Sequence, residues 1–85
     1  LGDVQALQAR VAADPEDHEA RIGLDRAMAA AGHVERSLDD LLTIVSAKGE
    51  HAEAAREAMI EIFSLLGNEH PAVPAFRRRL ANTLF

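Results

Sequence analysis

Ala20, Leu24, Ala27, Met28 and Ala31 stand at offsets 0, 4, 7, 8 and 11, an apolar stripe with the period of one helix face. Val34, Leu38, Leu41, Leu42 and Val45 repeat those offsets, and Ala55, Met59, Ile62, Phe63 and Leu66 repeat them again. The shared template predicts three amphipathic helices. The punctuation between the stripes agrees. Asp14 before Pro15, with Asp17 three residues on, reads as an N-cap, a proline at the first helical position and a capping-box-like acid. Gly32 follows the first stripe and Gly67 the third, each where a glycine ends a helix, and Gly49 closes the second. Val4, Leu7 and Val11 predict a short leading helix over about residues 3–12. A final helix is expected to begin near Pro71 or Pro74 and to run through Phe76, Leu80 and Leu84. Short connections make neighbouring helices antiparallel. The expected fold is therefore all-α, about five helices in antiparallel hairpins, forming one domain over residues 1–85.

A longer period lies above the helical one. A shift of 35 residues carries Ala20 to Ala55, Leu24 to Met59, Ala27 to Ile62, Met28 to Phe63 and Gly32 to Gly67. Helix–turn–helix repetition at that length resembles the tetratricopeptide pattern. Residues 18–49 keep its apolar or small positions at Leu24, Met28, Gly32 and Leu41. They lose its small residue after the first leucine (Asp25), its aromatic (Arg21) and its closing proline (Gly49). Two degenerate repeats are fewer than the three a solenoid usually needs, so the module is expected to lean on a neighbour.

Composition narrows the function classes. The 85 residues contain no cysteine, which removes disulfides, thiolate metal sites and thiol chemistry. No signal-peptide pattern opens the chain and no apolar run is long enough for a bilayer, so a cytoplasmic setting without a membrane partner is expected. The chain starts at Leu1 rather than methionine, so a fragment of a longer protein is expected. A formal charge of −5 argues against nucleic acid. That charge is unevenly placed: residues 1–70 hold fourteen acids against six bases, whereas residues 71–85 hold Arg77, Arg78 and Arg79 and no acid. A basic tail follows an acidic body.

The run Asp14-Pro-Glu-Asp-His-Glu-Ala-Arg21, then Ala29-Ala-Ala-Gly32 and Leu41-Leu-Thr-Ile-Val45, resembles the helical C-terminal region of bacterial thioredoxin-like co-chaperones, the chaperedoxins. Glu53-Ala-Ala-Arg56, Glu61-Ile-Phe-Ser-Leu-Leu-Gly67, His70-Pro71 and Phe76-Arg-Arg-Arg-Leu80 extend the resemblance through Leu84 and Phe85. His51 stands near where that family often has an aromatic. The resemblance implies a holdase module, parted from a thioredoxin-fold domain, that binds unfolded clients or a chaperonin or DnaK-type chaperone. The alternative is a structural role, dimerising the parent protein or bracing its other domain.

Catalytic and cofactor chemistry find no footing. The glycines are isolated, no Gly-x-Ser-x-Gly elbow occurs, and Ser37 has only His33 within a helical turn. His18, His33, His51 and His70 are 15, 18 and 19 residues apart, a spacing for capping or solvated residues rather than a metal site. Glu53, Glu57 and Glu61 form an i, i+4 ladder off the apolar stripe, a solvated face or a surface for a cationic partner. Asp17–Arg21 and Arg21–Asp25 read as local ion pairs supporting one helix. The candidate partner-binding residues are Phe76, Arg77, Arg78, Arg79, Leu80, Leu84 and Phe85: apolar anchors within an arginine rim. The competing reading sets the arginines against the dipole of their own helix and the acidic body.

Overall fold

The computed structural model describes the backbone of residues 2–84 and the side chains of residues 4–84. Its five helices are α1 (Gly2–Ala13), α2 (His18–Ala30), α3 (Val34–Ser46), α4 (Ala52–Leu66) and α5 (Ala72–Leu84), with no strand among the described residues. Consecutive helices from α1 to α4 pack as antiparallel neighbours, and α3 also meets α5. The molecule measures 33 × 27 × 15 Å. Its short dimension is little more than one helix diameter, so most helices keep a face in water.

Helix ends fall where orphan backbone groups find partners. The chain enters α2 through a turn in which Asp14 Oδ1 accepts from the Glu16 N–H at 3.0 Å. Asp14 is thereby spent on the turn, and Asp17 becomes the N-cap, accepting from the Ala20 N–H at 3.1 Å. The helix thus starts three residues later than the Asp14-Pro15 signal implied. At the other end of α2, the His33 N–H donates to Met28 O at 2.9 Å and the Gly32 N–H to Ala29 O at 3.0 Å, with Gly32 at φ +107°. That is a Schellman ending built on a left-handed glycine. After α3 the left-handed residue is Lys48 (φ +55°) rather than Gly49. Pro71 lies just ahead of α5, and Pro74 sits in its first turn, where a missing N–H costs no helical bond.

The core is laid around α3. Leu38 and Leu41 are fully enclosed, and Val34, Leu42, Ile44, Val45 and Ser37 are buried with them. Facing them are Ala55, Ala58, Met59, Ile62 and Phe63 of α4 and Ala72, Val73, Phe76 and Leu80 of α5. The α3 and α4 stripes therefore point inward as the periodicity predicts, with Leu66 half-buried at the edge. The α2 stripe does not. Ile22 and Ala29 enter the core, while Leu24, Ala27 and Met28 are half-buried and Ala31 is exposed. Helix α2 is apolar on two sides because α1 lies against it. Leu7 of α1 sits over Gly23, where an added Cβ would come within 3.3 Å of Leu7 Cδ1. Val4, Leu7 and Val11 are only half-buried, and α1 adds nothing to the core cluster.

One ion pair records the repeat directly. Arg26 Nη2 of α2 meets Glu61 Oε1 of α4 at 3.0 Å, joining positions 35 residues apart. The second hairpin is looser than the first, because α5 leans chiefly on α3 and touches α4 only slightly. The rotated face of α2 makes two similar truncations differ. Ile22→Ala should cost about 2–4 kcal/mol of unfolding free energy, and Leu24→Ala less than about 1.5 kcal/mol. Urea unfolding of the two variants checks this order.

Candidate functional site

The C-terminal candidates divide into two groups. Phe76 and Leu80 project from α5 into the core, each about 6 % exposed, so in this arrangement they hold the helix down rather than offer anchors. Arg77, Arg78, Arg79 and Leu84 lie on the outside, and Phe85 falls outside the described residues. Arg79 Nη2 reaches Asp39 Oδ1 of α3 at 2.9 Å, with its guanidinium 4.7 Å from the centre of the Phe76 ring. The Arg77 guanidinium stands 5.6 Å from the Phe63 ring. Among the described residues Arg78 forms no ion pair. The three arginines lie in the middle of α5, and its last turn holds no base, so complementing the helix dipole is not their role. Part of the basic helix is instead folded against the acidic body through Arg79. Beneath Leu84, 48 % exposed, a cleft of about 420 Å³ runs between Val45, Lys48, Glu53 and Arg56.

A second feature joins α2 and α3. Arg21 does not pair with Asp17 or Asp25 on its own helix. Its Nη2 crosses to Asp40 Oδ1 of α3 at 2.5 Å. Asp17 is held instead by Arg10 of α1 at 3.1 Å. Asp25 is left beside Asp40, about 9 % exposed, and its buried Oδ2 accepts no hydrogen bond. Burial, then the hydrogen bond shared with Asp40, pushes the Asp25 carboxyl up to about 9. Burial also works against the Asp40 carboxylate, but the bonds from Asp25 and Arg21 outweigh it and hold that group below the usual carboxylate range. One proton therefore sits on Asp25 and is donated to Asp40, which faces Arg21 on its other side. The pair borders a groove of about 430 Å³ with Gln8 of α1, Leu24 and Met28 of α2, and Asp39 of α3.

Sequence spacing missed this pair because its members lie on different helices. One signal was present: Asp25 occupies the position where the tetratricopeptide pattern has a small residue, and an acid there is forced against α3.

The remaining polar candidates are structural. The Ser37 hydroxyl donates to the His33 carbonyl at 2.7 Å. His70 Nδ1 accepts from the Ala72 N–H at 3.1 Å and caps α5, whereas His33 and His51 precede α3 and α4 without side-chain capping bonds. His18 meets His51 edge to face at 5.7 Å. The Glu53–Glu57–Glu61 ladder is exposed, with Glu53 bonded to Arg56 and Glu61 to Arg26. No three potential ligands converge on a metal position among the described residues.

The raised Asp25 acid ties stability to pH. The folded state holds a proton that the unfolded chain releases near about pH 4, so stability declines as pH climbs from there towards about 9. Asp25→Asn keeps the shape and the donor to Asp40 without needing that proton. It should flatten this decline and raise unfolding free energy at about pH 8 by roughly 1–3 kcal/mol, measured by urea unfolding across pH.

Comparison with known proteins adds one result. The family model described as tetratricopeptide repeat matches residues 1–85. No curated protein and no solved structure matches. Among the described residues, no helix is long and apolar enough to cross a membrane. Paired helices, a 35-residue period bridged by Arg26 and Glu61, and a family match along the whole length lead to one assignment. The chain belongs to the tetratricopeptide repeat family, whose domains are generally non-catalytic modules for binding other proteins.

Proposed function

We propose that this module is the protein-binding half of a thioredoxin-like co-chaperone, docking a chaperonin or a DnaK-type chaperone, or an unfolded client, through the outer face of α5. The observation that carries the proposal is the division of labour within that helix. Phe76 and Leu80 fix α5 to the core, which leaves Arg77, Arg78 and the half-exposed Leu84 beside an open cleft. An apolar anchor with a cationic rim suits a partner surface that is apolar and acidic. The chaperedoxin-like runs ending in Leu84 and Phe85 lend the partner class.

A second reading rests on Ile60 and Leu65 of α4, 41 % and 81 % exposed. They would suit a second copy or a neighbouring domain of the parent protein. A mass that rises with concentration in sedimentation would favour that reading.

The docking test compares the full chain with a triple variant, Arg77→Ser, Arg78→Ser and Leu84→Ser. All three side chains are exposed, so the variant should unfold within about 0.5 kcal/mol per site of the parent. Binding to purified chaperonin and DnaK-type chaperone, and suppression of client aggregation, should weaken about tenfold or more. Unchanged binding in the variant, or no binding by the parent, would overturn the proposal.

A further inference from the structure

The groove between α1 and α3 shares no residue with the cleft under Leu84, and its chemistry points elsewhere. Its floor is α2, where Leu24 and Met28 are half-buried and Asp25 lies deeper. Three acids border it, and they are not equivalent. Asp39 already holds Arg79, and Asp40 already holds Arg21. Asp25 has no cation of its own among the described residues, and its Oδ2 is buried without a donor. An acid nine-tenths buried against an open groove, beside apolar side chains, is a socket for a long side chain with an apolar stem and a positive end.

We infer that this groove receives a lysine side chain from a partner protein, its methylenes along Leu24 and Met28 and its ammonium against Asp25. This goes beyond the docking of α5 and does not depend on it. Lysine fits better than arginine. A guanidinium seeks two parallel acceptors, whereas Asp25 leaves one oxygen unused, which suits a point charge. A divalent metal would need several oxygen ligands, and no such set converges among the described residues.

The resting proton on Asp25 makes the binding pH-linked. The groups around it are Arg21 on α2, and Asp39, Asp40 and Arg36 on α3, with His33 at the head of α3 and His18 acting on Asp40. From α1 only the uncharged Gln8 borders the groove. Arg36 and His33 are exposed at the rim, free to turn to water as a cation enters. An entering ammonium displaces the Asp25 proton to solvent, so binding strengthens as pH rises from about 7 to about 9.

The chain carries two methionines, which supply a reporter and a control: Met28 borders the groove, and Met59 is enclosed in the core. The full chain with ¹³C-labelled methionine methyls would be titrated with n-butylammonium chloride, the lysine side chain without its backbone. The Met28 methyl resonance should move saturably in the millimolar range, several-fold more tightly at the higher pH, while Met59 stays still. n-Butanol, and sodium chloride at matched ionic strength, should not reproduce the shift, and Asp25→Asn should abolish it. No saturable shift at either pH, or the same shift with n-butanol or in Asp25→Asn, would overturn the inference. Neither result bears on the chaperone-binding test, which uses different residues.

Discussion

Helix α3 is the constraint on which the rest of the molecule depends. In a slab only 15 Å thick there is room for one buried row of side chains, and that row is Leu38, Leu41, Leu42 and Val45. Helices α2, α4 and α5 all bury their apolar faces against it. Two repeats are thereby joined into a single core, with Arg26 and Glu61 spanning the same 35-residue interval at the surface. Area buried against α3 supplies the main driving force, because an exposed ion pair such as Arg26–Glu61 contributes little.

The same packing decides which polar groups carry tension. Helix α2 is clasped between α1 on one side and α3 on the other, so its residue types serve two surfaces. Ile22 and Ala29 face the core, Gly23 receives Leu7, and Asp25 is turned against Asp40. An acid in that place stays neutral, and the groove beside it combines apolar floor with latent negative charge. At the other end of the molecule, α5 is held by Phe76 and Leu80 and tied to α3 through Arg79 and Asp39. Its remaining arginines and Leu84 are left to solvent. A rigid centre with differently charged edges is a reasonable platform for binding proteins by more than one face.

What the sequence revealed follows the number of partners each helix has. Helices α3 and α4 present one apolar stripe apiece, and the period predicts their buried residues position by position. Helix α2 is rich in alanine and glycine and has neighbours on two sides, so its predicted stripe marks the side towards α1 and the groove instead of the core. Capping was ambiguous where Asp14 and Asp17 compete, because only the turn through Pro15 decides which carboxylate reaches the helix. The arginine run was visible at once, but its burial pattern was not: Phe76 and Leu80 look as free as Leu84 until α5 is laid on α3. The Asp25–Asp40 pair needed tertiary structure altogether, since 15 residues and a helix reversal separate its members.

Native-state hydrogen exchange tests most directly the claim that one α3-centred core makes the two repeats a single cooperative unit. The amides of α3 and of the facing turns of α2 and α4 should exchange only through global unfolding, with one common free energy and one denaturant dependence. Those of α1, which rests on α2 alone, should exchange through a smaller opening that leaves the core closed. Equal protection of α1 and α3, or separate opening energies for the α2–α3 and α4–α5 pairs, would contradict the account.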